Sequence, residues 1–136
     1  MYVINYNGNL IDCGGVSALT TLISAHIPEG NWTEEKGLHW TGNYLTGEQI
    51  VNETPFVLTF GKIDNIIFLD PNLSEELVCD GKISISVTEN NITSIQKSGA
   101  ATFSFDEIKM ITKKALEIGQ KLRKQLNLWQ YKSKIE

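Results

Sequence analysis

Between Pro55 and Gly99, four strand-like segments follow one another with turn residues between them, and no other stretch constrains the fold as tightly. Phe56 to Phe60 and Ile66 to Leu69 are apolar runs flanking Asp64-Asn65, the pattern of two paired strands buried on both faces. Lys82 to Val87 alternates instead, with Ile83, Ile85 and Val87 on one face and Ser84 and Ser86 on the other. Asn90-Asn91, residues that tolerate positive φ, then lead into Ile92 to Ile95. The four segments predict a sheet that the remaining chain must cover.

Tyr2 to Tyr6 also alternates, ahead of the turn signal Asn7-Gly8-Asn9, and brings the expected sheet to about five strands. A strand with nothing before it suggests a chain whose upstream half is missing. A helix is predicted next, from about Gly14 to Ala25, with Asp12 as its N-cap, Ala18, Leu19, Leu22 and Ile23 on one face, and its end before Pro28. Its opening Asp12-Cys13-Gly14-Gly15 exposes backbone N–H groups as a phosphate cradle does. No Lys or GxGxxG accompanies it, and glycine there equally serves packing. From Ile27 to Thr54 the pattern dissolves. This Gly-, Asn- and Thr-rich segment, with Trp32, Trp40 and Tyr44, is expected to be a surface excursion pinned by its aromatics or a partner-binding loop.

Asp70-Pro71 closes the first strand pair, and Asn72 to Asp80 is expected to be a solvated connector. Its Glu75, Glu76 and Asp80 lack the frame of a metal site or of a paired acid and base. Ser104 to Glu107 forms a capping box ahead of the clearest helix of the chain. Ile108, Ile111, Ala115, Ile118 and Leu122 make its packed stripe, while Lys109, Lys113, Lys114 and Lys121 stay wet. Gly119 inside it weakens the helix by about 1 kcal/mol unless close packing needs it. Leu126, Leu128, Trp129 and Tyr131 continue as an apolar tail that docks on a partner or folds back.

A chain of 136 residues with 41% hydrophobic content fits one domain. It has no apolar run of about 18 residues and no signal-peptide pattern at its start, so a soluble, intracellular protein without a membrane partner is expected. Cys13 and Cys79 form no CxxC and have no His at ligand spacing, which favours free thiols over a disulfide or zinc. Neither His26 nor His39 has a nucleophile near it, and three N-x-T matches carry no glycosylation reading without a secretory signal. Eight of the twelve basic residues fall between Phe105 and Glu136 against four acids, so that segment carries +4; the remainder, with four bases and twelve acids, carries −8. A basic helix on an acidic body is either a solvated face or a nucleic-acid or subunit contact.

The run N-Y-N-G-N-L-I-D before a helix, T-P-F-V-L-T-F-G-K-I, the connector L-D-P-N-L-S-E-E-L-V-C-D-G, then I-S-I-S-V and I-Q-K-S-G before a final helix resembles the C-terminal half of an RNase PH-like domain. The resemblance covers about Tyr2 to Leu126 and is greatest to the non-catalytic ring subunits of the RNA exosome. It implies an α+β fold, the second half of an RNase PH-like fold, with a mixed sheet of about five strands covered by two helices. Residues 1–126 would be a partial RNase PH-like domain and 127–136 a C-terminal tail. Active relatives carry D-G-G-T-R-T at the start of the first helix, where the Arg binds phosphate. Val16 stands at that Arg here, and an apolar side chain offers no bidentate fork. The family's D-L-D-Y-x-x-D pattern falls on Phe68, Asp70 and Ser74, so only the middle acid is kept.

The resemblance therefore implies a catalytically inactive structural subunit with no catalytic residues, metal or cofactor. Its implied partners are other RNase PH-like exosome subunits in a hetero-oligomeric ring and single-stranded RNA, with a nuclear and cytoplasmic location. Lys97, Lys109 and Lys113 are the RNA-contact candidates, as salt-sensitive backbone contacts. As a half-domain the chain is also expected to self-associate through its exposed sheet. Two other readings stay open: a phosphorolytic 3′–5′ exoribonuclease using Asp70, Asp80 and the Gly14-Gly15 terminus, and a protein-binding module using Trp32, Trp40 and Trp129.

Overall fold

The computed structural model describes residues 2–126. Helix α1 (Leu10–Ser24) is followed by a hairpin of β1 (Ile27–Thr33) and β2 (Gly37–Leu45), the one-turn helix α2 (Gly47–Ile50), strands β3 (Phe56–Ile63) and β4 (Ile66–Leu69), and the short helix α3 (Leu73–Val78). Strands β5 (Gly81–Val87) and β6 (Ile92–Gly99) and the long helix α4 (Phe105–Leu126) complete the order. The α+β class stands. The tail at 127–136, with Leu128, Trp129 and Tyr131, lies outside the described residues.

Strand register builds the core. In the β4-β3-β5-β6 sheet, Phe56 lies opposite Val87, Leu58 opposite Ile85 and Phe60 opposite Ile83. Directly opposed residues share a face, so these six side chains form one apolar surface. Helix α4 lays Ile111 and Ala115 on it, with Ile108, Ile118 and Leu122 at the margin. Each such aliphatic side chain taken out of water stabilises the fold by about 1.5–3 kcal/mol. Arg123 ties the far end of α4 down: its guanidinium donates to the carbonyls of Thr54 and Val87 and lies 5.3 Å from the Phe56 ring centroid. At the near end the predicted capping box is present. Glu107 accepts from the Ser104 N–H at 2.7 Å, and the Ser104 hydroxyl accepts from the Glu107 N–H at 3.2 Å.

Helix α1 crosses the edge of β3 that β4 leaves open. Strand β4 pairs only with Phe60 to Ile63, so the Phe56–Thr59 half of β3 has no strand on that side. Leu19 and Ile23 pack there with Val51 and Phe56, and Val16 lies against the same cluster.

Several expectations change. The main sheet has four strands and is antiparallel throughout, rather than mixed with about five. Tyr2 to Tyr6 forms no strand: alternation makes a strand only where a ladder partner exists, and Tyr2 and Ile4 are almost fully exposed. Helix α1 begins at Leu10, not near Gly14, because Asn9 takes the cap position with a φ of 47° and Asp12 falls inside the first turn. The Ile27–Thr54 segment is mostly the β1–β2 hairpin and α2. Its strand character is hidden by Pro28 and Gly30, which coincide with a register shift. Asn72 to Asp80 is not merely a connector. Asn72 and Glu75 make a capping box for α3, the Asn72 side chain accepting from the Glu75 N–H at 3.0 Å. Strand β3 is buried on both faces as expected, but β4 is an edge strand exposed at Ile66 and Leu69.

Candidate active-site region

Two Asn-containing turns meet where α1 begins. Asn7-Gly8-Asn9 docks on Asp70-Pro71-Asn72, with the Leu73 N–H donating to the Asn7 carbonyl at 2.8 Å. Gly8 has a φ of 100°, and a Cβ there would lie 2.6 Å from the Pro71 carbonyl oxygen, so only glycine permits the contact.

The docking brings together a polar network. The Asn9 amide nitrogen donates to Asp12 Oδ2 at 2.8 Å and to Asp70 Oδ1 at 2.6 Å, bridging the two carboxylates. Asp12 Oδ2 also accepts the Thr59 N–H at 2.9 Å and Asp12 Oδ1 the Thr59 hydroxyl at 2.7 Å; that hydroxyl lies 2.7 Å from Ser84 Oγ. The Thr59 N–H is a donor on the edge of β3 beyond the end of β4, and Asp12 takes the place of the missing strand. On the same residue, the Thr59 carbonyl accepts the Asp70 N–H at 2.9 Å. Burial pushes the Asp12 carboxyl above its usual range, against the lowering effect of the Thr59 and Asn9 hydrogen bonds.

Chemically, both oxygens of Asp12 are committed to holding α1 on β3, and a carboxylate so engaged is a positioning group before it is a base. Val16, one turn on, faces the Phe56 cluster and supplies no charge. Gly14-Gly15 lies inside α1 rather than at its exposed terminus, so the cradle reading loses its free N–H groups; a Cβ on Gly15 would lie 3.0 Å from a Val57 methyl, a packing role. Phe68 sits on β4 and Ser74 on α3, neither bringing a carboxylate to Asp70.

Asp80 is not drawn to this network. Its Oδ2 accepts the Asp64 N–H at 2.7 Å at the β3–β4 turn, and its carbonyl accepts from Ala100 and Ala101. The four residues of β4 separate the two acids, about 13 Å of strand. Glu76 accepts from Lys82 at 2.6 Å and from the Tyr6 hydroxyl at 2.8 Å, while Glu75 caps α3. Among the described residues, no group of three or more His, Cys, Asp or Glu is placed to hold a metal ion.

The RNA-contact candidates divide between two elements. Lys97 lies on β6, an edge strand exposed along its whole length, and its ammonium donates to the Gly99 carbonyl. A lysine there also blunts an open strand edge. Lys109 and Lys113 lie on the exposed side of α4, opposite its packed stripe. Asn9 and Thr59, which complete the network, were not singled out in the sequence. The signal was the pair of turns N-G-N and D-P-N, each legible alone but silent about their meeting.

Comparison with known proteins agrees with this architecture. The family model described as "3' exoribonuclease family, domain 2" matches residues 53–121. Exosome complex component Rrp42 of Pyrococcus abyssi is 36% identical over 129 residues, covering 91% of this chain and 45% of that protein. The Rrp42 component of Thermoplasma acidophilum is 33% identical over 122 residues, covering 89% of this chain and 43% of its own. The chain thus spans about half the length of the curated relatives it matches. Among solved structures, an archaeal exosome core superposes with a TM-score of 0.74 at 23% identity, over 91% of this chain and 47% of that one. An Archaeoglobus fulgidus exosome with RNA bound to the active site gives 0.73 at 23%, over 90% and 45%. At that identity the likeness is one of fold. The chain belongs to the 3′ exoribonuclease family, of which it carries domain 2.

Proposed function

We propose that this chain is the C-terminal half of a catalytically inactive exosome ring subunit. Its work is to pair with RNase PH-like neighbours in a hetero-oligomeric ring and to line part of the path of single-stranded RNA in 3′–5′ processing and degradation, in the nucleus and cytoplasm. The observation that carries the reading is the commitment of Asp12: both its oxygens are bound to Thr59 and Asn9, and the neighbouring Val16 is packed where an active relative would present an arginine. A phosphorolytic site needs a charged fork for phosphate and carboxylates grouped near the scissile bond. Here Asp70 and Asp80 sit at opposite ends of β4. The names of the Rrp42 relatives support the ring assignment.

The test is degradation of a single-stranded RNA by the chain, alone and mixed with a catalytic-type RNase PH-like subunit, with and without inorganic phosphate. Activity confined to the mixture, and unchanged by Asp70→Asn and Asp80→Asn variants that remain folded, is the expected result. Phosphate-dependent shortening by the chain alone, lost in those variants, overturns the inactive reading and makes it an exoribonuclease. The protein-binding reading gains one specific observation: Trp32 and Trp40 fall on one face of the hairpin, with Trp32 opposite Leu38 and Trp40 opposite Gly30.

A further inference from the structure

Asn7-Gly8 is the one Asn-Gly step in the sequence, and Asp80-Gly81 the one Asp-Gly step. In such a step the following backbone nitrogen can attack the side-chain carbonyl carbon and close a cyclic imide, and glycine, without a Cβ, leaves that approach open. The fold treats the two steps differently. Gly81 is buried in β5, where it pairs with Gly99, and Asp80 Oδ2 accepts the Asp64 N–H at 2.7 Å. Asn7 is exposed, and neither its side chain nor the Gly8 N–H has a hydrogen-bond partner among the described residues.

The exposed step is also a point of close packing. The Leu73 N–H donates to the Asn7 carbonyl at 2.8 Å, and a Cβ on Gly8 would lie 2.6 Å from the Pro71 carbonyl oxygen, the Asn72 carbonyl carbon and the Leu73 nitrogen. The main chain has no room there for an added carbon. Asn9, the next residue, takes the cap position of α1 and bridges Asp12 and Asp70. The reactive amide is therefore open to water, while the backbone it would alter is packed against the start of α3.

We propose that Asn7 is a site of spontaneous deamidation that unlocks the start of α1 as the protein ages. The Gly8 nitrogen bonds to Asn7 Cγ and gives up its proton; the side-chain amide leaves as ammonia, and a cyclic imide remains. Water then opens one of the two C–N bonds of the imide. Opening at Cγ leaves an aspartate at position 7, and opening at the main-chain carbonyl leaves an isoaspartate. In the second product the main chain is longer by one methylene, and the carbonyl that Leu73 donates to has become a carboxylate off the main chain. The Asn7-Gly8-Asn9 turn then no longer fits Asp70-Pro71-Asn72, and Asn9 is drawn from its bridge. The inference is independent of the exosome reading and holds whatever the catalytic state of the chain.

Prolonged incubation of the folded full chain in mildly alkaline buffer tests it. Peptide mass spectrometry locates the modification, methyl transfer by protein isoaspartyl methyltransferase detects the lengthened backbone, and thermal melts followed by circular dichroism read the fold. The peptide carrying Asn7 is expected to gain the mass of an oxygen in place of an NH and to accept methyl groups, and the melting midpoint of the aged protein to fall. Asn7→Gln, whose longer side chain closes the ring far more slowly, is expected to show none of the three changes. Freshly purified Asn7→Asp, which carries the new charge on an unaltered backbone, is expected to melt near wild type. An Asn7 that stays intact in the folded chain but deamidates in urea overturns the proposal, because the docking then protects the step. Modification at Asn7 with an unchanged midpoint overturns it as well, as does a fresh Asn7→Asp protein as destabilised as the aged one.

Discussion

The Asp12 carboxylate accepts both the backbone N–H and the hydroxyl of Thr59, at 2.9 and 2.7 Å, and so joins the first turn of α1 to the edge of β3 that β4 leaves open. Thr59 is almost fully buried, so no water replaces Asp12 without rearrangement. Asp12→Ala is expected to cost about 1–3 kcal/mol, the penalty of a buried donor left unmade. Thr59→Val, which removes the hydroxyl but keeps the N–H, is expected to cost less. Urea denaturation of both variants checks the order; an Asp12→Ala protein as stable as wild type would show that the network is incidental.

Stability is expected to carry two opposed pH dependences from this end of the molecule. Burial raises the Asp12 carboxyl, so its contribution is fullest below the ordinary Asp value of about 3.9 and is lost as pH rises through the higher folded value. For Glu76, burial pushes the carboxyl up, but hydrogen bonds from Lys82 and Tyr6 outweigh it and hold the group below its usual range. Its contribution is present above the unfolded value and is lost as pH falls through the folded one. Thermal melts across the acid range, on wild type, Asp12→Asn and Glu76→Gln, separate the two. Asp12→Asn should remove the loss on rising pH, and Glu76→Gln the loss on falling pH.

Lys62 is a buried lysine with three compensations. It donates to Glu107 at 2.7 Å and to the Thr102 carbonyl at 2.9 Å, and lies 5.3 Å from the Phe103 ring centroid. The lysine hydrogen bond is the main cause holding the Glu107 carboxyl below its usual range. Removing one partner of a buried pair leaves a charge uncompensated, whereas an apolar replacement of similar length does not. Glu107→Ala is therefore expected to lower the unfolding midpoint more than Lys62→Met, and the reverse order would show that the pair stabilises by attraction alone.

The two thiols should react at different rates. Cys13 is exposed on α1, while burial pushes the half-buried Cys79 thiol up. At about pH 8, near the ordinary thiol pKa of about 8.5, a thiol reagent is expected to modify one cysteine quickly and one slowly. Cys13→Ser should abolish the fast phase; if Cys79→Ser does so instead, the burial of Cys79 is not maintained in solution.

The legible parts of this fold were those whose signal is local. The apolar run of β3 and the alternation of β5 declared their hairpin partners β4 and β6 because the turns between them lay in one stretch; that β3 also pairs with β5 was not declared. The Ser104–Glu107 capping box declared α4 for the same reason. What escaped depended on contacts between distant segments. Asp12 looked like an N-cap until Thr59, remote in sequence, claimed its carboxylate, and Asn7-Gly8-Asn9 looked like a local turn until it met Pro71. The β1–β2 hairpin was missed because Pro28, Gly30 and Asn31 are poor strand formers. Of the candidate site, Val16 and Asp70 were legible as residue types, and the network that engages Asp70 was not.

Gly119 tests whether packing overrides helix propensity. A Cβ at this position would stand 2.7 Å from Val87 Cγ2, closer than atoms tolerate, and Val87 is a stiff β-branched side chain fully buried under α4. In an open helix Gly→Ala gains about 1 kcal/mol. Here Gly119→Ala is expected to destabilise, by about 1–3 kcal/mol for an overpacked core. Val87→Ala removes the obstructing methyl, so adding Gly119→Ala in that background should restore the ordinary helix gain. Chemical denaturation of the double-mutant cycle reads the sign change directly, and a stabilising Gly119→Ala in the wild-type background would show that α4 stands farther from β5 than the 2.7 Å approach requires.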